Sequence, residues 1–341
     1  MASAKVVVVG ASVGGVEALG RLMERLPGDF PAPILVVQHV GNFPSILPDL
    51  LGRRGKLPVA HGTDGEGISD GHVYVAPPDQ HMVLDGRRLR LNRGPKEHHS
   101  RPAIDPLFVS AALAYGPGAI GVVLTGTLDD GTAGLQAIKR RGGIAIVQDP
   151  EEAEAPSMPL SALRYVEVDR RARLDEMPGA LLEALRQPVL RVVEGGSGAL
   201  AHEHDIFLSK GNPMEHLKAI GRPSSLVCPD CSGGLWEITD SHPVRYRCHT
   251  GHAYTARSLL HALSEATDGA LWGAVRALQE EGILLREMAA TMRGTGDEMG
   301  AARFEKAAQV ADRRMEALRA VVETVPAPAT EDEPQAGAVH G

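Results

Sequence analysis

Between residues 5 and 149 the chain alternates short unbroken apolar runs with longer segments in which apolar residues recur every three or four positions. The runs "KVVVVG" (5–10), "APILVVQ" (32–38), "GHVYVAP" (71–77), "GAIGVVLTG" (118–126) and "GGIAIVQD" (142–149) have strand length. Apolar at consecutive positions, they suit strands covered on both faces. The segments 16–26, 104–114 and 132–141 carry helix periodicity instead. This alternation predicts an α/β protein built on a doubly wound, mainly parallel open sheet. The glycine-bearing stretch "LDGRRLRLNRG" (84–94) reads as an antiparallel excursion from it.

The pattern changes after about residue 188. "RVVEGGSGAL" (191–200) has linker composition, and residues 189–221 are expected to connect domains. A small cysteine-containing module follows over 222–256. Two Ala/Leu/Arg/Glu-rich segments broken by "RGTGDE" predict a helical hairpin over 257–324. Its apolar positions include Leu259, Leu263, Leu271, Val275 and Leu278. The tail, 325–341, reads as disordered.

Composition narrows the picture in three ways. With 341 residues the chain should form more than one domain, and 43% hydrophobic but only 4% aromatic residues imply aliphatic cores. A formal net charge of -8 argues against a general nucleic-acid binder. Lys5 precedes only four valines before a glycine loop, which is not a signal peptide, and no stretch has transmembrane length. The expectation is a soluble, cytoplasmic protein without membrane insertion.

The first strand runs into "GASVGG", which fails G-x-G-x-x-G because Ser12 replaces the second glycine. It fails the P-loop pattern too, since no Lys-Ser/Thr follows. It does satisfy G-x-S-x-G, the sharp strand-to-helix turn that presents a serine hydroxyl. A structural glycine turn has the same local spacing, so a nucleophile needs a base and an orienting carboxylate elsewhere. His39 ends the strand "ILVVQH", and Asp129–Asp130 follow "GVVLTGTL". In an open parallel sheet the carboxyl ends of strands converge on one crevice, which can bring Ser12, His39 and an aspartate together. Strand spacing does not choose between Asp129 and Asp130.

Six blocks in order carry a resemblance: "VVVVGASVGG", "VVQHV", "VYVAPPDQHM", "HHSRPAIDPLFVSAA", "VVLTGTLDDGTAGL" and "GGIAIVQDPEEAEAPSMPLSAL". Over 1–188 the chain resembles the catalytic domain of the CheB-type chemotaxis protein-glutamate methylesterases. The resemblance implies Ser12 as nucleophile, His39 as base, and Asp130, the aspartate directly before glycine, as the orienting carboxylate. It implies a methylated chemoreceptor as protein substrate, glutamine deamidation as a side activity, and no cofactor for catalysis. Three departures stand out. The receiver domain usual in the family does not precede the block, so the expectation is either control by a separate regulatory or receiver protein or a constitutive activity. "TGTL" replaces the family's T-G-M-G, and "QHVG" replaces Q-H-x-P. "HHSRP" (98–102) is a candidate for shaping the substrate crevice.

"CPDC" and "RCHTGH" supply Cys228, Cys231 and Cys248, with His252 as the best fourth ligand and His249 as a substitute. Three thiolates and an imidazole at this spacing suit a tetrahedral structural zinc in a zinc-ribbon-like module. A module this small has little core without a metal. Some relatives of the esterase resemble this chain in carrying such an extension followed by long helices. Two other readings compete with an active esterase: a non-catalytic signalling scaffold retaining the fold, and a nucleotide-binding protein.

Overall fold

A computed structural model describes residues 5–41, 43–189, 198–208 and 210–324. The elements run β1 (Val6–Ala11), α1 (Gly15–Arg25), β2 (Ile34–Gln38), α2 (Leu47–Arg54), β3 (Val59–His61), β4 (Val73–Val75), β5 (His81–Asp85), β6 (Arg88–Asn92) and α3 (Ile104–Tyr115). Then come β7 (Ala119–Val123), α4 (Thr132–Arg140), β8 (Ile144–Gln148), α5 (Ser157–Tyr165), β9 (Arg170–Ala172) and α6 (Met177–Arg186).

Seven of these strands form one sheet in the order β3-β4-β2-β1-β7-β8-β9, every neighbouring pair parallel. The all-valine start of β1 explains its central place. Alternate side chains leave opposite faces of a strand, so a central strand needs both parities apolar. Val7 and Val9 face one core with Leu19, Leu22 and Met23 of α1 and Leu181 of α6. Val6 and Val8 face the other with Leu107 and Phe108 of α3 and Leu135 and Ile138 of α4. Each fully buried valine is worth roughly 1.5–3 kcal/mol of transfer free energy. At the amino end of β1, the Lys5 ammonium donates to the carbonyls of Ala184 and Leu185 at 2.7 and 3.1 Å. It thereby meets the negative carbonyl end of α6.

Helix α3 is buried almost all round, from Ile104 to Ala112. An all-round apolar helix needs cover on its outer side, and the expected antiparallel excursion supplies it as the hairpin β5–β6. His81, fully buried at the start of β5, joins this cover to the approach to α3. Its Nε2–H donates to the Pro95 carbonyl at 3.0 Å and its Nδ1 accepts from Ala103 N–H at 3.2 Å.

The expected linker over 189–221 is mostly folded chain. Residues 190–197 and Ser209 lie outside the described residues, but α7 (Gly198–Phe207) and α8 (Pro213–Ile220) are regular helices. Phe207 packs edge-on against His81 at 5.1 Å between ring centroids. The Gly/Ser composition belongs to the stretch before α7, while Glu203, Ile206 and Phe207 within it are buried.

The cysteine module is an antiparallel sheet of β10 (Gly221–Val227), β11 (Gly234–Ile238), β12 (Arg245–Cys248) and β13 (Ala253–Thr255). Residues up to Leu259 form one compact unit and those from Leu260 onward a second. The second holds α9 (Ala256–Gly294) from Leu260 onward and α10 (Glu298–Thr324), the expected hairpin. Within it Ala289, Ala301, Ala308 and Ala311 are buried, and Arg286 pairs with Asp312 and Arg293 with Glu305. Of the apolar positions read from sequence, Val275 is buried in this unit and Leu263, Leu271 and Leu278 are half-buried. The tail 325–341 lies outside the described residues. No helix among the described residues is long and apolar enough to cross a membrane.

Burial holds the His81 imidazole neutral, at a pKa of about 4. The unfolded chain, with a histidine pKa near 6.5, then binds the extra proton between these values, and stability falls as pH drops through that window. Urea unfolding at pH 7 and pH 4.5 should show His81→Gln losing less stability than wild type, by on the order of 2–3 kcal/mol. Equal losses would show that His81 does not stay neutral in the fold.

Candidate active site

Ser12, His39 and Asp130 stand just beyond β1, β2 and β7, the three central neighbours of the sheet. The strand order reverses across this point: from β1 the chain adds β2 on one side and then, from β7, adds strands outward on the other. Open α/β sheets form their crevice at such a switch point.

The three side chains are in series. The Ser12 hydroxyl lies 3.1 Å from His39 Nδ1, and His39 Nε2 lies 2.8 Å from Asp130 Oδ2. With the ring proton on Nε2 donated to Asp130, the Nδ1 lone pair faces the serine O–H. The two ring nitrogens thus take the opposite roles to those in chymotrypsin-like triads. His39 keeps 18% of its side-chain surface exposed, whereas Asp130 keeps 2%.

Asp130 accepts four hydrogen bonds. Oδ2 takes His39 Nε2–H and Ile104 N–H (2.8 Å), and Oδ1 takes Asp105 N–H (3.0 Å) and Gly131 N–H (2.8 Å). The Ile104 and Asp105 amides open α3, whose N-cap, Ala103, has no capping side chain. Asp130 therefore caps α3 from another segment, satisfying orphan donors at the positive end of the helix. Burial pushes its pKa up, but the charge on buried His98, the hydrogen bond and charge of His39 and the Ile104 amide outweigh it, holding Asp130 well below the ordinary carboxylate range. Asp129 faces elsewhere, accepting Thr255 Oγ1–H at 2.8 Å. Strand spacing left the two aspartates equivalent; only Asp130 meets His39.

The turn that carries Ser12 is braced by residues that sequence reasoning passed over. Gln38 Nε2 donates to the carbonyls of Ser12 (2.8 Å) and His39 (3.0 Å), tying the two strand tips together. The Thr125 carbonyl accepts Ser12 N–H at 2.9 Å, and its hydroxyl donates to the Val13 carbonyl at 2.9 Å. Both sit in quoted strand-end motifs, "VVQH" and "VVLTG", so adjacency to the triad was the available signal. Gly14 has φ 74°, the left-handed backbone that lets the chain turn sharply into α1. Leu128 takes the same region, φ 61°, where the resembling T-G-M-G pattern has glycine. That replacement stores roughly 1–2 kcal/mol of local strain.

The "HHSRP" segment contacts both the α/β domain and the cysteine module. His98 bonds Asp105 and Ser258, His99 lies 3.5 Å from Asp230, and Arg101 pairs with Asp79 at 2.6 Å. A small recess, partly open to solvent, is lined by His98, Asp105, Glu203 and Arg245 among others, but by neither Ser12 nor His39.

In the cysteine module, one donor atom from each of Cys228, Cys231, Cys248 and His252 lies within 4.8 Å of all the others. Cys231 and Cys248 sulfurs are 3.7 Å apart, and His252 Nδ1 is 3.7 Å from Cys228 Sγ and 3.5 Å from Cys248 Sγ. A tetrahedron with bonds of about 2.3 Å to sulfur and 2.0–2.1 Å to nitrogen has edges of about 3.8 and 3.6 Å. The donor set fits such an ion. His249 is exposed and stands outside this cluster.

Fold and site together define a doubly wound α/β protein with a Ser–His–Asp array at its switch point. The chain belongs to the CheB methylesterase family, whose model matches residues 7–181. It is 41% identical over 186 residues to a protein-glutamate methylesterase/protein-glutamine glutaminase of Anaeromyxobacter dehalogenans, covering 54% of each chain. It is 37% identical over 177 residues to a putative enzyme of the same name from Leptospira interrogans, covering 50% of this chain and 90% of that one. The crystal structure of the Thermotoga maritima CheB methylesterase catalytic domain is similar with a TM-score of 0.51 and 36% identity, covering 52% of this chain and 97% of that one. The chain spans about half the length of the Anaeromyxobacter relative.

Gly126 shows how tightly the serine is placed. A Cβ there would lie 2.8 Å from Ser12 Cβ and 2.1 Å from Met158 Sδ. The methionine end can swing, but Ser12 Cβ is anchored to backbone. Gly126→Ala should therefore slow modification of Ser12 by a fluorophosphonate on the order of 10²-fold, the usual effect of displacing a reacting group by about 1 Å. Unchanged kinetics would mean the turn has slack that the packing does not suggest.

Proposed function

We propose that this chain is a serine carboxylesterase that removes methyl groups from glutamyl methyl esters of chemoreceptor proteins, in chemotaxis-type signalling. The observation that carries the reading is the unbroken hydrogen-bonded series from Ser12 through His39 to Asp130 on a CheB-family fold. The names of the similar proteins supply the substrate class.

His39 Nδ1 takes the Ser12 proton as the hydroxyl oxygen attacks the ester carbonyl. Asp130 holds the ring by Nε2 and stabilises the imidazolium that forms. Backbone N–H groups of the turn between Ser12 and α1 are the proposed donors to the developing oxyanion, with the helix dipole adding to them. His39 returns the proton to the departing methoxide, releasing methanol and leaving an acyl-Ser12. It then deprotonates water, which attacks the acyl carbon; the products are glutamate and free Ser12. Replacing the ester by a glutamine amide gives ammonia in place of methanol, the deamidase side activity. A separate regulatory or receiver protein is the proposed partner that controls the site.

The ion proposed for Cys228, Cys231, Cys248 and His252 is zinc. With four protein donors it would stabilise the module and leave no position for substrate. Protein prepared without chelator should contain about one zinc per chain, lost in Cys228→Ser together with cooperative unfolding of the module. Metal-free wild type with an unaltered melting profile would remove the zinc reading.

Incubated with methylated receptor, the wild-type chain should release methanol, and Ser12→Ala or His39→Ala should reduce the rate roughly 10⁴–10⁶-fold. Equal release from wild type and Ser12→Ala would sink the mechanism. Fluorophosphonate labelling of Ser12 without any methanol release would leave the array but discard the substrate.

A further inference from the structure

Beyond Asp130 the polar contacts continue, through an ion-pair distance and not a direct hydrogen bond, to a second buried imidazole. Asp130 Oδ1 lies 3.8 Å from Nε2 of His98, whose side chain is 4% exposed. His98 Nε2–H donates to Asp105 Oδ2 at 3.0 Å, and its Nδ1 lies 3.0 Å from Ser258 Oγ. Asp105 in turn supplies one of the amides that hold Asp130, and its Oδ1 accepts Gly134 N–H at 2.6 Å. One buried imidazole thus touches the α3 N-terminus, the triad carboxylate's surroundings and the start of α9.

The C-terminal module holds this imidazole from several sides. His98 N–H donates to the Ala253 carbonyl at 2.9 Å, and Glu97 bridges to Ala253 of β13. Arg247 of β12 pairs with Glu97 at 2.7 Å. Ser258 is itself fixed: Thr255 N–H donates to its Oγ at 2.9 Å, and its N–H donates to Thr255 Oγ1 at 3.0 Å. Such a reciprocal pair caps α9. The same Thr255 hydroxyl bonds Asp129, the residue before the triad aspartate. His98 has φ 51°, a left-handed backbone that a non-glycine residue keeps only when its surroundings dictate it.

The charges around His98 come from every packed element: Asp105 of α3, Asp129 and Asp130 after β7, Glu97 beside it, Arg247 of β12, and Arg257 of α9, which acts on Asp129. Three buried carboxylates this close repel one another unless a cation stands among them. Burial works against charge on His98, but Asp130, Asp105 and Asp129 outweigh it and push its pKa up to about 10.

We propose that His98 is a positioning residue for the triad carboxylate, and that residues 253–258 of the C-terminal module hold it there, so that the module sets the reactivity of Ser12. The substrate part of this rests on the esterase reading; the positioning part does not. In the full-length chain, Ser12 modification by a fluorophosphonate is measured against pH, beside methanol release from methylated receptor, for His98→Gln, Ser258→Ala and Thr255→Val. His98→Gln is expected to slow phosphonylation about 10²-fold and to lower kcat for methanol release with KM unchanged. Losing the cation also moves the acid limb of phosphonylation up by on the order of one pH unit. Ser258→Ala and Thr255→Val shift both readouts in the same direction by a severalfold smaller amount. Folded His98→Gln with the wild-type rate and acid limb overturns the proposal. So do two C-terminal variants that both behave as wild type, which decide the matter where His98→Gln does not fold. Wild type that is phosphonylated without releasing methanol defeats the esterase reading alone, and the phosphonate rates still judge His98.

Discussion

The buried carboxylate of Asp130 is the constraint on which the rest of the site depends. Taking a carboxylate out of water costs several kcal/mol unless its lone pairs are met in good geometry. Here four donors meet them, from His39, from two amides opening α3 and from Gly131 at the entry to α4. Those donors belong to three parts of the chain that converge only if β2, β1 and β7 lie side by side and α3 begins beneath them. The arrangement that makes Asp130 tolerable in the core is therefore the same one that aligns the histidine.

On the nucleophile's side the constraint is steric. Ser12 stands against Gly126, and its turn is clamped between Gln38 on one strand tip and Thr125 on the other. Rigid placement costs conformational entropy in folding but, on the proposed esterase reading, leaves little to lose when the hydroxyl attacks. The hydroxyl lies within reach of the imidazole without any large rearrangement, and the orienting carboxylate is already ionised. Positioning and electrostatics, the two larger contributions that the proposed reaction would draw on, are both present in the array itself.

Much of this was legible in the sequence because it is local or because it is patterned. Consecutive valines mark β1 as a strand buried on both faces, and the glycines around Ser12 mark a sharp turn. Strand tips in a parallel sheet converge by topology, so Ser12 and His39 could be paired without coordinates. Asp129 and Asp130 could not be separated that way, because adjacent residues in an irregular loop have no fixed parity. The six-block resemblance implied Asp130, and it is the Asp130 carboxylate that accepts His39 Nε2–H. The short strands β3 and β9, three residues each, carry too little periodicity to announce themselves. Helix α7 was hidden for a different reason: its buried positions satisfy tertiary partners, Arg245 for Glu203 and His81 for Phe207, that sequence spacing does not display.

The junction between the α/β domain and the cysteine module follows the same physics as the triad. Glu203 meets Arg245 at 2.6 Å and Glu97 meets Arg247 at 2.7 Å; Glu203, Glu97 and Arg247 are buried and Arg245 is half-buried. Buried ion pairs add little net stability compared with apolar packing, but they penalise any arrangement that separates the partners. A junction built from them specifies one docking geometry more than it strengthens it. A module with four strands and four metal-type donors has little apolar core to hold its own shape, so its fold and its docking support each other. Because Ala253, Thr255 and Ser258 at the module's end reach His98 and Asp129 directly, that geometry is transmitted to within one residue of the triad carboxylate.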